Sequence, residues 1–102
     1  MAKTRSYKEE LLKDLQDPEE AANYLTACLE DYEEEVFLIA LRDVVQATLG
    51  MSELARQTQL NREGLYTMLS EKGHPQPSSV RAILDSLGYQ IVIRPAPAKQ
   101  AS

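Results

Sequence analysis

Apolar residues recur every three or four positions over most of this chain, which is the spacing of helices that bury one face. The pattern predicts a short helix over 7–15 and a second helix that begins at Asp17-Pro18. Asp17 can accept hydrogen bonds from the free amides of the first turn, and Pro18 suits the first helical position. The second helix should run to about Leu29, with an inner stripe of Ala21, Leu25, Cys28 and Leu29.

The next segment, from about Tyr32 to Leu49, is apolar on more than one side and is predicted to be a central helix. Two short helices are predicted after it, near 51–58 and 61–70. A proline-containing loop then leads to a last helix over 78–87, with Ser78 as its N-cap and Gly88 at its C-terminal end. The buried stripe of this helix is predicted to be Val80, Ile83, Leu84 and Leu87.

The β-branched sequence YQIVIR, residues 89–94, lies between Gly88 and Pro95 and is predicted to be a strand. The tail 95–102 is predicted to be disordered. At 102 residues the chain has room for one domain. We expect an all-α fold, a compact bundle of about five or six helices with one short C-terminal strand. The expected domain covers 1–94, with N-terminal helices over 7–49, a two-helix segment over 51–70, the last helix over 78–87 and the strand over 89–94.

The net charge of −5 argues at first against a nucleic-acid partner, because phosphate binding needs a basic surface. However, eight acids and no base lie between Asp17 and Glu35, so the rest of the chain carries a net charge of +3. This segment is either a solvated helix face with its linker or an acidic surface that attracts a basic partner protein. Both interpretations remain open from the sequence.

Composition also excludes several classes of protein. The longest apolar run has six residues, Val36 to Leu41, whereas a bilayer span needs about 20, and the N-terminus carries no apolar secretory segment. We therefore expect a soluble, cytoplasmic protein with no membrane partner. A single cysteine, Cys28, cannot form an internal disulfide, and with the single histidine, His74, it cannot build a tetrahedral zinc site or a nucleophile–base pair. We expect no cofactor, no metal and no enzymatic activity, and we interpret Cys28 as a small buried apolar residue.

Residues 51–70, with the sequence MSELARQTQLNREGLYTMLS, contain two short helical patterns joined by about three residues. Apolar residues of both patterns point to a common centre: Leu54, Ala55, Leu60, Leu65 and Leu69. Asn61 stands where the second helix needs an N-cap. The outward positions of that helix carry hydrogen-bonding side chains: Arg62, Glu63, Tyr66, Thr67 and Ser70. The alternative is an ordinary helical hairpin with a polar face.

The stretch from Gly50 to Gly88, which contains these two patterns, resembles the helix-turn-helix of the Cro and phage-repressor type. With SYKEELLKDLQDPEEAANYL near the start and FLIALRDVV before the motif, the chain resembles the addiction-module antidote proteins, that is, antitoxins and prophage-type DNA-binding regulators, over about residues 6–93. The resemblance implies a sequence-specific transcriptional regulator, namely an antitoxin that represses its own operon. The alternatives are a stand-alone prophage-type repressor and a protein-interaction module that uses the helix-turn-helix as a scaffold.

The resemblance also implies which residues meet double-stranded DNA. Base edges would be contacted by Arg62, Glu63 and Thr67, and phosphates by Met51, Ser52, Gln57, Asn61, Tyr66, Ser70 and Lys72. Met51 departs from the family pattern and can offer only its backbone amide. Gln59 replaces the usual glycine of the turn and would carry strain of about 1 kcal/mol if its φ is positive. Arg56 and Arg81 are either further phosphate contacts or intramolecular salt partners.

Two protein partners are expected. A single helix-turn-helix buries too little of the DNA groove to be selective, so we expect a homodimer. The predicted strand would pair with its copy through Tyr89, Ile91, Val92 and Ile93, although it could instead fold back on its own domain or form an extended tail. The resemblance also implies a small basic toxin of the RelE and ParE superfamily. The acidic residues that would face the toxin are Glu30, Asp31, Glu33, Glu34 and Glu35.

Overall fold

The computed structural model describes residues 2–31 and 33–97, with the side chains of residues 2–6 and 31 left out of the description. The described residues form six α-helices and no strand. The helices are α1 (Ala2–Asp14), α2 (Pro18–Asp31), α3 (Glu34–Ala47), α4 (Met51–Thr58), α5 (Arg62–Met68) and α6 (Pro77–Leu87). The expected compact all-helical class is therefore confirmed.

The central helix is α3, as its apolar pattern predicted. It packs against α1, α2 and α4. Its buried residues are Phe37, Leu38, Ala40, Leu41, Asp43, Val44, Val45 and Ala47. The helix is shorter than predicted: it ends at Ala47, because the backbone of Thr48, with a φ of −119° and a ψ of −89°, leaves the helical conformation. At the other end it begins at Glu34, and Tyr32 lies outside the described residues.

One carboxylate is buried within the apolar core of α3. Asp43 is only 6% exposed. Its Oδ2 atom accepts a hydrogen bond from the Tyr24 hydroxyl of α2 at 3.2 Å, and its Oδ1 atom lies 3.4 Å from Lys8 Nζ of α1. These partners offset the cost of removing a carboxylate from water. Asp43 was not among the predicted core or site residues, although a single acid within FLIALRDVV was a visible clue.

The three C-terminal helices share a second part of the core. Leu54 of α4, Leu65 of α5 and Ile83 of α6 are each 0% exposed. The helix α4 packs against both α5 and α6. Partly buried apolar residues complete this layer: Ala55, Leu60, Met68, Val80 and Leu87. The common centre predicted for the two short helices is therefore confirmed.

The last helix begins one residue earlier than predicted. Pro77 lies in its first turn and Gln76 precedes it, so the prediction of Ser78 as the N-cap was wrong. Proline suits the start of a helix, because the backbone N–H that it lacks has no intrahelical partner there. At the other end Gly88 closes the helix as predicted, with a φ of 92° that favours glycine.

The prediction of a strand over 89–94 was wrong. Residues 89–97 have no regular secondary structure. A strand needs a neighbouring strand for its backbone hydrogen bonds, and the regular elements of the described chain are all helices. Tyr89 fixes the start of this segment, because its hydroxyl donates a hydrogen bond to the Pro18 carbonyl oxygen at 3.3 Å. Of the tail whose disorder was predicted, residues 98–102 lie outside the described residues.

Leu29 is another difference from the sequence prediction. The other members of its predicted inner stripe are buried: Ala21 at 0%, Leu25 at 6% and Cys28 at 7% exposure. Leu29 is 63% exposed. It lies in the last turn of α2, which the other described elements leave largely uncovered on this side. The periodicity placed Leu29 on the core-facing stripe, but it could not show that the core stops short of it.

Two glycines should respond oppositely to substitution by alanine. A Cβ atom at Gly73 would lie 2.2 Å from the Met68 carbonyl oxygen, so Gly73→Ala should lower the free energy of unfolding by about 1–3 kcal/mol. At Gly64, inside α5, the atom nearest to an added Cβ would be Asn61 Cβ at 3.7 Å. Gly64→Ala should therefore raise the free energy of unfolding by about 0.5–1 kcal/mol. Urea denaturation of both variants measures the difference. Equal stability of the two variants would contradict the close approach at Gly73.

Removing the Tyr24 hydroxyl should destabilise the fold. Tyr24→Phe takes one hydrogen bond from the buried Asp43 carboxylate, so we expect a loss of about 1–3 kcal/mol at neutral pH. Burial, together with the negative charge of Asp43, raises the pKa of the Tyr24 hydroxyl well above its ordinary value. The folded state therefore keeps a proton that the unfolded state releases above about pH 10. The contribution of the protonated Tyr24 hydroxyl to the free energy of unfolding is therefore complete below about pH 10 and declines as the pH rises further.

Chemical denaturation between about pH 9 and 11 measures this alkaline loss of stability. The wild-type chain should lose more stability over that range than Tyr24→Phe, which has no hydroxyl to ionise at this position. Tyr66→Phe is the matched control, since Tyr66 is 41% exposed on α5. If Tyr24→Phe and Tyr66→Phe have the same stability and the same pH dependence, the hydrogen bond to Asp43 contributes nothing.

Candidate functional site

The helices α4 and α5 are joined by a three-residue turn that side chains hold at both ends. Gln59 ends α4 in the left-handed region with a φ of 61°, so the strain anticipated for a non-glycine residue there is present. The Thr58 hydroxyl accepts a hydrogen bond from the Leu60 amide at 3.3 Å. Asn61 Oδ1 accepts from the Gly64 amide at 3.0 Å, which confirms the predicted N-cap of α5.

The two sides of α5 differ completely in exposure. Leu65 is 0% exposed and faces the core. The three residues expected to contact bases, Arg62, Glu63 and Thr67, are all exposed. Glu63 and Thr67 are four residues apart and lie on the side of the helix away from Leu65. Arg62 is exposed at the first position of α5, three residues before Leu65.

An aromatic ring lies beside Arg62 on this surface. The guanidinium carbon of Arg62 is 6.0 Å from the centroid of the Tyr66 ring, one helical turn further along α5. This distance is at the outer limit of a cation–π contact. Tyr66 itself is 41% exposed. The contact favours conformations of Arg62 that stay over the face of α5.

The residues expected to contact phosphates are not equally free to do so. Ser52, Gln57, Asn61, Tyr66 and Lys72 are exposed, Ser70 is half-buried and Met51 is 4% exposed. The side chain of Met51 lies in the core and leaves only its backbone amide for a ligand. Gln57 Nε2 donates to Glu53 at 3.0 Å, and the Ser70 hydroxyl donates to the Thr67 carbonyl oxygen at 2.6 Å. Gln57 and Ser70 already have partners within the chain.

The outer side of α4 carries a cluster of paired charges. Arg56 forms a salt bridge with Glu53, with Arg56 Nε at 3.0 Å from Glu53 Oε1. The hydrogen bonds from Arg56 and Gln57 lower the pKa of Glu53 to about 2, so it is ionised at neutral pH. Arg81 is similarly paired with Asp85 at 3.7 Å. Both arginines whose roles the sequence left open are therefore partners in intramolecular ion pairs.

The surface built by α4 and α5 is close to electrically neutral. Between Met51 and Lys72, three basic residues accompany three acidic ones. The acids are Glu53, Glu63 and Glu71. A surface of this kind attracts phosphate only weakly, because electrostatic binding to nucleic acid follows the number of unpaired cations.

The structure divides the acidic segment into two groups. Asp17, Glu19 and Glu20 lie at the start of α2, and the Glu19 amide donates a hydrogen bond to Asp17 Oδ1 at 3.0 Å. The other five acids lie at the junction of α2 and α3, roughly 15 Å further along the helix axis. The eight acids therefore do not form one continuous surface.

The helix dipole accounts for some of these acids but not for all. Acids in the first turn of a helix are stabilised by its dipole, which applies to Glu34 and Glu35 of α3. Glu30 lies in the last turn of α2, where the dipole disfavours negative charge and where the helix has no basic residue. Asp31 shares that turn, but its side chain lies outside the described residues. Helix stability therefore gives no reason for an acid at Glu30.

An open groove of about 1070 Å³ separates α2 from the C-terminal segment. Leu25, Leu29 and Glu30 line it from α2, and residues 89–97 line it from the other side. The segment exposes Ile91 at 57%, Val92 at 64% and Ile93 at 92%. Tyr89, also expected at a dimer contact, is half-buried instead. We call this feature the α2 groove.

Neither a metal cluster nor a membrane span occurs in the part of the chain that the structure describes. Within residues 2–31 and 33–97, no three His, Cys, Asp or Glu residues form a group that could hold a metal ion. No helix in those residues is long and apolar enough to cross a bilayer. Cys28 is buried, as its interpretation as a small apolar residue required.

Comparison with known proteins gives the family of the chain. A protein of Haemophilus influenzae, described as uncharacterized, is 36% identical over 76 residues, which cover 74% of this chain and 77% of that protein. No solved structure matches the chain. The family model described as probable addiction module antidote protein matches residues 6–95. The chain therefore belongs to the family of probable addiction module antidote proteins.

Proposed function

We propose that this chain is a DNA-binding antitoxin that represses its own operon and neutralises a small basic toxin. The family supports the antitoxin role, because an antidote implies a toxin and a regulatory rather than catalytic protein. The observation that carries the DNA-binding role is the exposed surface of α5, where Glu63 and Thr67 lie opposite the buried Leu65 and Arg62 is exposed at the first position of the helix. A recognition helix of the Cro and phage-repressor type presents its side chains to the major groove in this way.

The chemistry of these side chains matches base edges. The guanidinium of Arg62 can donate to O6 and N7 of guanine, and the Glu63 carboxylate can accept from N4 of cytosine. The methyl group of Thr67 can contact the methyl group of thymine. Each such contact contributes about 1–3 kcal/mol of discrimination between bases. The Tyr66 ring lies beside the Arg62 guanidinium, at the outer limit of a cation–π contact.

Phosphate contacts would come from a small set of groups. Lys72 and Ser52 are exposed, and the Met51 amide lies at the start of α4, where free backbone N–H groups favour anions. The dependence of DNA affinity on salt becomes steeper with each phosphate that the protein neutralises. Because this surface has few cations, we expect that dependence to be shallow. Specificity then depends on base contacts and on binding two half-sites.

A homodimer would supply the second recognition helix, about 34 Å from the first. Ile91, Val92 and Ile93 are the side chains that support this, because large exposed apolar residues on adjacent positions mark contact surfaces. We propose that two copies associate through the sides of these three residues that face away from the α2 groove, which they also line.

The near-neutral surface of α4 and α5 favours one alternative function. In a protein-interaction module, these helices would serve as a scaffold and would not contact DNA. Such a module would tolerate substitution of the exposed residues of α5, so DNA-binding measurements separate the two functions.

Removing Arg62 should weaken the preference for the operator. We expect the wild-type chain to bind duplex DNA from its own upstream region more tightly than a shuffled duplex, and Arg62→Ala to weaken that binding about 5- to 150-fold, the equivalent of about 1–3 kcal/mol. Fluorescence anisotropy at two salt concentrations measures both affinities. Lys13→Ala, at the end of α1, is the control that removes one positive charge away from α4 and α5. Equal losses in both variants would indicate a general charge effect and contradict base recognition by Arg62.

Charges within the C-terminal segment should separate the two copies. The double substitution Ile91→Lys, Ile93→Lys places cations where the proposed contact is apolar, so a dimer should become a monomer. Light scattering at several concentrations gives the mass. Tyr7→Lys is the control, because Tyr7 is 72% exposed on α1. A doubly substituted chain that stays dimeric would place the dimer contact elsewhere.

A further inference from the structure

We infer that the α2 groove receives an amphipathic helix of the toxin with one apolar face and one basic edge. This inference rests on the proposed antitoxin function, and it names the surface that the partner occupies and the chemistry that the partner needs.

Leu29 gives the first reason to expect an occupant. Its position places it on the same stripe as Leu25 and Cys28, which are 6% and 7% exposed, yet Leu29 is 63% exposed. The apolar surface of α2 therefore continues from the core out into the groove. Phe37 of α3 and Leu84 of α6 also line the groove and extend this surface inward. An occupant of the groove would cover this exposed apolar surface, which is continuous with the core of the chain.

The shape of the groove favours a helix as the occupant. One wall is α2, and the opposite wall is the segment 89–97, which Tyr89 ties to the start of α2. A second helix laid along α2 would pack at a distance of about 8–10 Å between axes. Binding of one amphipathic helix in an apolar groove is a common mode of protein recognition.

Charge selects a basic occupant over a second copy of this chain. Glu30 lines the groove, and Glu33, Glu34 and Glu35 follow at the junction with α3. Two copies facing each other across this rim would bring like charges together, whereas lysines or arginines would meet opposite charges. Because the dipole of α2 disfavours an acid at Glu30, its presence there fits a role in binding.

The opposite rim of the groove orients the occupant. Arg94 lines the groove from the C-terminal segment. The cations of an incoming helix would therefore lie along the α2 rim beside Glu30, and its neutral or acidic side would lie towards Arg94. The apolar face would rest on Leu25 and Leu29.

The test uses the full chain and two helical peptides of defined composition. Each peptide has about 14 residues, the length of α2, and a lactam bridge that keeps it helical in water. Both carry leucines at every third or fourth position and one lysine–glutamate pair that forms the bridge, and the remaining positions are lysine in one peptide and glutamate in the other. Fluorescence anisotropy should show that the wild-type chain binds the lysine peptide and not the glutamate peptide.

Leu29→Ser should weaken binding of the lysine peptide by about tenfold or more, because an apolar contact is lost. Tyr7→Ser is the matched control, since Tyr7 is an exposed apolar residue on α1 and does not line the groove. Circular dichroism checks that both variants keep the helical content of the wild type. Unchanged affinity in Leu29→Ser, or equal binding of the two peptides, would overturn the inference.

Two further measurements on the same samples keep the outcomes distinct. If Leu29→Ser converts a dimer into a monomer in light scattering, a second copy occupies the groove and the inference fails. Leu29→Ser should bind the upstream DNA as the wild type does. If the wild-type chain fails to bind that DNA while the lysine peptide still depends on Leu29, the regulator function fails and the groove remains a docking site.

Discussion

Asp43 constrains the arrangement of the N-terminal half of the molecule. A carboxylate surrounded by the apolar residues of α3 is tolerated only while hydrogen-bonding groups accompany it into the core. Lys8 supplies one group from α1 and Tyr24 supplies another from α2. With Tyr24 directed at α3, Leu25 lies in the core and Leu29 lies at its edge. The position of the α2 groove therefore follows from the contact that fixes α2.

Local patterns predicted the helices well, because a helix is stabilised by residues three and four positions apart. The cap at Asn61 was predictable for the same reason, whereas the possibility of a left-handed Gln59 came only from the resemblance, in which a glycine is usual in the turn. It could not predict that residues 89–94 lack strand structure, since a strand depends on a distant neighbour. The exposure of Leu29 was missed because periodicity gives a direction around the helix and not the extent of the surface that covers it.

The candidate site shows the same division between local and distant information. The exposure of Arg62, Glu63 and Thr67, and the common side of Glu63 and Thr67, follow from helical spacing and were predictable. The pairing of Arg56 with Glu53 was left open, because a long side chain on a helix can reach several different partners. The acidic segment was predicted as one block of sequence, but a whole helix separates its two groups of acids.

The two proposed binding surfaces use different residues and different chemistry. The surface of α5 is nearly neutral and is proposed to read bases through hydrogen bonds, whereas the α2 groove combines apolar side chains with an acidic rim. The central helix α3 packs against both α2 and α4, so it is the shared element between the surfaces. Because α3 is buried along most of its length, a partner in the groove has a rigid element beneath it. The two surfaces can therefore be altered separately by substitutions at exposed positions, while substitutions in α3 would disturb both.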